Sequence, residues 1–267
     1  MGGMIPMNDS RKIQDFWDSR ATAEVSYKSS WEDYYMVEKE IFEISKYIAG
    51  NEKICDFGCN NGYGTFRLLS LFEGIEVDGI DYSENLIKVA KEALISAPHA
   101  GRARFSVGNI LDPASYPEKK YDIILLKRIL INLETPENQI RALSSIEKLL
   151  KTGGKIILSE AVEENWRRLN QLRHEFGLEE LGQPWHNCYL KKDVIDFMYT
   201  HFQVEIDDDY SSSYYLISRV LNPWIQKLND VKKLDYLSEI NRMAATLPNF
   251  GDYGTQRLLI LKPRKYQ

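Results

Sequence analysis

The sequence predicts an α/β fold, a Rossmann-like, doubly wound sheet that is parallel over its central strands, and three observations carry the prediction. Residues 54–65, ICDFGCNNGYGT, read as a short apolar strand that ends in an acid, a small-residue loop and the start of a helix. A second apolar run, 75–81, follows and again closes on a carboxylate, Asp81. Residues 121–127, YDIILLK, are nearly continuously apolar, which suits a central strand covered on both faces. Strand and helix patterns alternate between these landmarks, the order expected of βαβ units.

The elements can be justified in order. Residues 8–49 carry helical periodicity, with Ile13, Phe16 and Trp17 on one face and Met36, Ile41, Ile44 and Ile48 on a later one. They predict two helices ahead of the sheet, with a polar loop at 20–30 lying near the ligand site. The second strand is followed by Ser83, a helix cap, and a helix over 84–96 that turns Leu86, Ile87, Val89, Ala90 and Leu94 to the sheet. A third strand covers 104–107. Pro136 opens a helix, where its missing amide does no harm, and that helix is expected to run to Leu150 and end at Gly153-Gly154. The fifth strand is placed at 155–159. Helices at 163–176 and 192–201 precede a strand at 202–207, and 257–262 forms the last strand. The span between these two strands holds Trp224, Ile225, Leu228, Leu234, Leu237, Ile240 and Met243 at helical spacing. It predicts a helical insertion that caps the site or forms a homodimer contact. The chain divides into an amino-terminal helical segment, 1–50, and one domain, 51–267, with 163–200 and 210–250 as acceptor-side elements.

Composition bounds the function. With 43% hydrophobic and 27% charged residues among 267, the chain reads as an ordinary soluble globular protein. A net charge of −5 argues against a broad footprint for nucleic acid. No apolar run approaches the ~20 residues that cross a bilayer, and no basic region precedes an apolar core at the amino terminus, so a cytoplasmic protein is expected. Met1 to Gly3 resemble an expression scar. The three cysteines include no Cys-x-x-Cys pair and the four histidines are scattered, so no metal site is expected.

The glycines carry the chemistry. Gly58, Gly62 and Gly64 are spaced G-x-x-x-G-x-G, not the G-x-G-x-x-G that brings backbone amides against a pyrophosphate. Asp56, just before the loop, would repel a diphosphate and suit a cationic ligand. Asp81 stands where a carboxylate accepts hydrogen bonds from ribose hydroxyls. A ligand with a ribose, no phosphate and a positive charge is S-adenosylmethionine. The D-x-G-C-x-x-G of residues 56–62 resembles the first motif of the class I S-adenosylmethionine-dependent methyltransferases, and the likeness runs over about 50–162. It implies a seven-stranded sheet whose last strand is antiparallel, with S-adenosylhomocysteine as product. The family usually has Gly where Asn60 stands. Asn tolerates left-handed backbone, so the loop is expected to form.

Ligands of such sheets sit beyond the carboxyl ends of the strands. Gly58, Cys59, Asn60 and Gly62 are therefore expected at the methionine part, Asp81 and Tyr82 at the ribose and adenine, and Asn109 and Ile110 at the adenine edge. The resemblance puts an acid where Asn109 stands, and its amide can still pair there. Arg20 is a candidate partner for the methionine carboxylate, and Trp17 and Tyr27 for the acceptor pocket. Lys127 and Arg128, past the fourth strand, favour an anionic acceptor such as phosphate, phosphoramidate or carboxylate, unless a neighbouring acid such as Glu134 or Glu160 neutralises one of them.

Glu160 lies just beyond the fifth strand, and residues 182–189, GQPWHNCY, gather an imidazole, an amide, an indole and a phenol in one loop. That loop with 176–178, and the segments 214–216, 219–221 and 249–253, are similar to methyltransferases of bacterial surface-polysaccharide (capsule or O-antigen) clusters. Methyl transfer mainly requires alignment of acceptor and methyl. A sugar hydroxyl needs a general base as well, for which His186 or Glu160 are the candidates. The expectation is methyl transfer to a small molecule, a sugar, sugar nucleotide or phosphate-bearing compound. The alternatives are N-methylation of an amino sugar or other amine, and a catalytically inactive cofactor-binding subunit.

Overall fold

The computed structural model describes residues 9–230 and 235–264. The readings placed on Met1 to Gly3, on Asn8 and on Leu234 lie outside them. Two helices come first, α1 (Asp9–Ser19) and α2 (Tyr34–Ser45), joined by a loop with one 3-10 turn at Tyr27–Ser29. Then follow β1 (Lys53–Phe57), α3 (Tyr63–Leu71), β2 (Glu76–Asp81), α4 (Glu84–Ser96), β3 (Ala103–Val107) and β4 (Tyr121–Lys127). The chain continues with α5 (Pro136–Ile146), β5 (Leu150–Ala161), α6 (Glu163–Glu175), α7 (Lys192–His201) and β6 (Phe202–Asp208). The insertion holds α8 (Ser212–Tyr215), a π-helical turn at Leu216–Leu221, α9 (Asn222–Leu228) and α10 (Glu239–Thr246), and β7 (Gln256–Pro263) closes the sheet.

The seven strands lie in the order β3-β2-β1-β4-β5-β7-β6. The pairs from β3 to β5 are parallel, and β7 runs antiparallel to both β5 and β6. β4 sits mid-sheet with Ile123 to Leu126 buried, as a strand covered on both faces must be. One core layer packs α2 and α3 against Ile54, Val77, Ile123, Leu125 and Ile157. The other packs α5 and α7 against Cys55, Ile124, Leu126, Ile156 and Leu158. Alternate residues of each strand thus serve opposite layers.

Local sequence explains most boundaries. Ser83 accepts from the Leu86 amide and Thr135 from that of Asn138, so α4 and α5 begin where a hydroxyl meets an orphan N–H. One boundary differs from expectation. The helix opened by Pro136 ends at Ile146, a 3-10 turn takes Glu147–Leu149, and Gly153-Gly154 lie inside β5. The register against β4 slips between Tyr121 and Ile123, so the glycines form an irregularity in a strand rather than a helix stop.

The insertion is tied to the amino-terminal segment by a buried charge pair. Arg219 in the π-helical turn bonds Asp33, the cap of α2, which also accepts from the Tyr214 hydroxyl and the Met36 amide. The guanidinium lies 4.6 Å from the ring centre of Tyr236 and 5.3 Å from that of Tyr215. Among the described residues, no helix is long and apolar enough to cross a membrane.

Candidate functional site

The carboxyl ends of β1, β2 and β4 open into a crevice of about 1000 Å³, the upper end of the range for small-molecule sites. The loop after β1 forms its floor. Gly58, Asn60 and Gly62 have φ of 71°, 55° and 83°, so three of five consecutive residues are left-handed. Asn60 therefore does take the conformation that a glycine would take. A Cβ on Gly58 would stand 2.9 Å from the Ile129 side chain, so glycine is required there for space as well as for backbone geometry. Asn60 is held by Ser29, whose hydroxyl donates to its side-chain oxygen, and the Asn61 side chain reaches the Ser26 carbonyl at 3.0 Å. The loop at 20–30 thus packs on the glycine turn.

Asp81 lines the crevice at the end of β2. Its carboxylate accepts from the Asn60 amide at 2.9 Å and the Ser83 amide at 3.0 Å, one on each oxygen, which leaves lone pairs on both. Burial raises its pKa to about 6, against the opposing pull of those two amides. The Tyr82 hydroxyl, also on the wall, is buried without a partner among the described residues. Asn109 and Ile110 follow β3; the Asn109 side chain accepts from the Leu111 amide at 2.9 Å. Of the residues expected at the cofactor, Gly58, Cys59, Asn60, Asp81, Tyr82, Asn109, Ile110 and Arg20 line this one crevice, whereas Gly62 lies off the wall, packed against Phe66 and Phe105.

Asp56 differs. It is fully buried beneath the loop, bonded by Lys127 and by the Thr65 hydroxyl at 2.7 Å, and it is absent from the crevice wall. Its charge is met from inside the protein, so it does not face a cationic ligand. Gly64 makes this pairing possible, because a Cβ there would lie 3.0 Å from the Lys127 side chain. Arg128, itself left-handed at φ 54°, pairs with buried Glu40 at 3.1 Å and lies over the Trp31 ring, 5.2 Å from its centre. Both Lys127 and Arg128 reach the crevice wall, but each is already neutralised by a carboxylate. The partner of Arg128 is Glu40, neither Glu134 nor Glu160. The argument from these two cations to an anionic acceptor therefore falls.

Glu160 also departs from its expected role as a base. It is fully buried and takes the amides of Ile129, Leu130 and Ile131 at 2.9, 2.8 and 3.3 Å. Burial pushes its pKa up to about 8 despite those donors. It holds the 129–131 turn, including the Ile129 that abuts Gly58, and does not reach the crevice. Tyr27 is likewise off the wall, packed on Tyr34 and Tyr63. Arg20 donates to the carbonyls of Lys28 and Ser29, so part of its guanidinium stabilises the 26–30 turn.

His186 does lie on the crevice wall, in a loop joined to the turn after β4. It stacks on Phe16 of α1 with ring centres 4.3 Å apart and meets Trp17 edge-on at 5.6 Å. Trp17 in turn donates to Asn132 at 3.1 Å. Burial, then the charge of Arg20, lowers the imidazole pKa, so the ring is neutral at pH 7. Its Nδ1 is buried and unpartnered among the described residues. The loop that carries it is fixed by backbone: Cys188 donates to the Ile131 carbonyl at 2.6 Å, and Gln139 donates to that of Cys188 at 2.7 Å.

Sequence reasoning missed several wall residues: Gln14, Trp31, Tyr236 and Gln256. For Gln256 a signal exists. It opens an antiparallel strand, so its start must lie at the carboxyl end of β5, opposite Ala161. Among the described residues no group of three His, Cys, Asp or Glu side chains could hold a metal ion.

Comparison with known proteins places these features in context. A family model described as "Methyltransferase domain" matches residues 48–210. The chain is 29% identical over 133 residues to the probable methyltransferase ltbC of Aspergillus luteorubrus, covering 48% of this chain and 47% of that one. It is 28% identical over 134 residues to malonyl-[acyl-carrier protein] O-methyltransferase 1 of Ilyobacter polytropus, covering 49% and 47%. The chain thus spans about half the length of these relatives. Among solved structures it is similar to the N-methyltransferase NodS of Bradyrhizobium japonicum with S-adenosyl-l-homocysteine, at TM-score 0.58 and 13% identity over 97% of this chain and 100% of that one. It also resembles magnesium protoporphyrin IX methyltransferase of Synechocystis, at TM-score 0.57 and 13% identity over 97% and 99%. At such identities the likeness concerns the fold.

Proposed function

The chain belongs to the methyltransferase-domain family, and on that premise we propose that it transfers a methyl group from S-adenosylmethionine to a small-molecule acceptor. One observation carries the reading: the Asp81 carboxylate, held by two backbone amides at the end of β2, faces a crevice floored by a left-handed glycine turn. The residues present fit that cofactor. Asp81 has free lone pairs for the two ribose hydroxyls, the orphaned Tyr82 hydroxyl and Asn109 border the adenine region, and Gly58 and Asn60 give the floor its left-handed turn. When bound, the cofactor supplies a methyl group on a positively charged sulfur that needs no further activation.

The chain's own residues do the rest. Phe16, Trp17 and Trp31 exclude water from the acceptor end. The neutral His186 imidazole takes the proton of an acceptor hydroxyl and returns it to solvent. Its lowered pKa keeps it unprotonated and ready at pH 7. Glu160 acts at one remove, as the anchor of the 129–131 turn. The finer reading is a sugar or sugar-nucleotide acceptor in surface-polysaccharide synthesis in the cytoplasm. Its support is the similarity of segments 176–178, 182–189, 214–216, 219–221 and 249–253 to enzymes of that setting, and the neutralisation of Lys127 and Arg128 favours it over a phosphate acceptor.

Calorimetry tests the cofactor: S-adenosylhomocysteine should bind and NAD should not. Transfer of label from methyl-labelled S-adenosylmethionine into the small-molecule fraction of a cell extract tests the reaction. Tight NAD binding with no response to either adenosyl compound would overturn the proposal.

A further inference from the structure

Seven buried side-chain polar atoms lack a hydrogen-bond partner among the described residues, one of them, Asp207 Oδ1, being ion-paired with Arg257. Four of them belong to residues of the crevice wall: Tyr82 Oη beside Asp81, and His186 Nδ1, Asn187 Oδ1 and Gln256 Oε1 on the acceptor side. An unpartnered buried polar group costs about 1–3 kcal/mol, so a cluster of three in one wall calls for a ligand that answers them. Gln256 is 5% exposed, and its place is set by the pairing of β7 with Ala161 of β5. The Leu190 amide donates to the same Ala161 at 2.9 Å, which brings the loop bearing His186 and Asn187 to that strand end. The Asn187 side chain already bonds the Tyr189 hydroxyl, and its carbonyl oxygen is the atom left over.

We infer that His186, Asn187 and Gln256 form a specificity subsite for an uncharged, hydroxyl-rich ring of the acceptor, and that a phosphate group is excluded from it. The inference rests on the methyl-transfer reading and narrows its substrate class. Two amide oxygens repel an anion, and the cations at the neighbouring strand end are bound to Asp56 and Glu40. A hydroxyl donates to the two amide oxygens and can donate to or accept from the imidazole Nδ1, whereas an ionised phosphate has no proton to offer the oxygens.

The test uses full-length protein saturated with S-adenosylhomocysteine. Methyl glucoside, galactoside and mannoside and myo-inositol are titrated against inorganic phosphate and glucose 6-phosphate, with calorimetric or NMR detection. At least one neutral compound should bind better than either phosphate. Gln256→Met and Asn187→Leu should each weaken it about tenfold, the loss of one buried hydrogen bond, and leave S-adenosylhomocysteine affinity unchanged. Should one variant fail to fold, the other still decides. Tighter binding of phosphate or glucose 6-phosphate, no binding of any neutral compound, or full retention in the folded variants would each overturn the inference. If S-adenosylhomocysteine binds and the neutral compounds do not, the inference alone fails. If that nucleoside does not bind at all, the methyl-transfer reading fails and takes the inference with it.

Discussion

The two ends of the crevice are built differently. The end formed by β1, β2 and β3 comes from one stretch of sequence, 53–110, and most of its polar groups are satisfied by nearby backbone: Asp81 by Asn60 and Ser83, Asn109 by Leu111. The other end is assembled from α1, the 128–132 turn, the loop at 184–189, the insertion and the start of β7, and it holds three of the four unpartnered wall atoms. A ligand-binding end that is finished by its own backbone binds one invariant compound. An end assembled from distant segments can vary with the acceptor while the sheet stays the same.

The sharpest way to separate the ends is His186→Ala. It should lower methyl transfer by about a hundredfold to ten-thousandfold, the range of a lost general base, with S-adenosylhomocysteine affinity unchanged. Equal losses in both would break the division. Next, Arg219→Ala leaves Asp33 buried without its partner and should destabilise the fold by about 3–5 kcal/mol, read from chemical denaturation. It tests whether the acceptor end depends on the tie between insertion and α2.

Asp81→Asn should weaken S-adenosylhomocysteine by about 1.5–3 kcal/mol, the value of hydrogen bonds to a charged group. The folded pKa of about 6 lies above the ordinary aspartate value of 3.8, so this group's contribution to the stability of the ligand-free protein is fully present below that lower value and is lost as pH rises through 6. Ligand binding runs the other way, because the ribose hydroxyls need the carboxylate. Affinity should fall as pH drops below about 6, and Asp81→Asn should flatten that fall in a calorimetric pH series. The smallest effect is expected at the exposed pair Lys53–Glu76 at the amino ends of β1 and β2, away from the crevice: Lys53→Ala should cost at most about 1 kcal/mol in thermal melts and leave both ends of the crevice intact.

The cofactor end was legible because its determinants are local. Glycines and acids at strand ends specify backbone conformation within a dozen residues, and Asn60 shows the rule surviving a substitution. The acceptor end was legible only in part. His186 was visible as one member of a polar loop, but its stacking on Phe16 joins positions far apart in the chain. The same distance hid the charges. Asp56, Lys127, Arg128 and Glu160 have the residue types of a site and sit at or beside strand ends, yet tertiary partners claim each one. Sequence shows that a charge is present, but not whether the fold has already answered it.

The strand order carries a consequence for synthesis on the ribosome. Of the seven strands described, β7 comes last in the chain, yet it lies between β5 and β6. Until it emerges, the nascent chain carries β5 with one unpaired edge, and β6 has no neighbour at all. Gln256 enters with that strand, so the acceptor wall is completed only when the sheet is. Ribosome-bound intermediates stalled before β7 should therefore recruit chaperones that cover open strand edges, and release from them should coincide with the first ability to hold an acceptor.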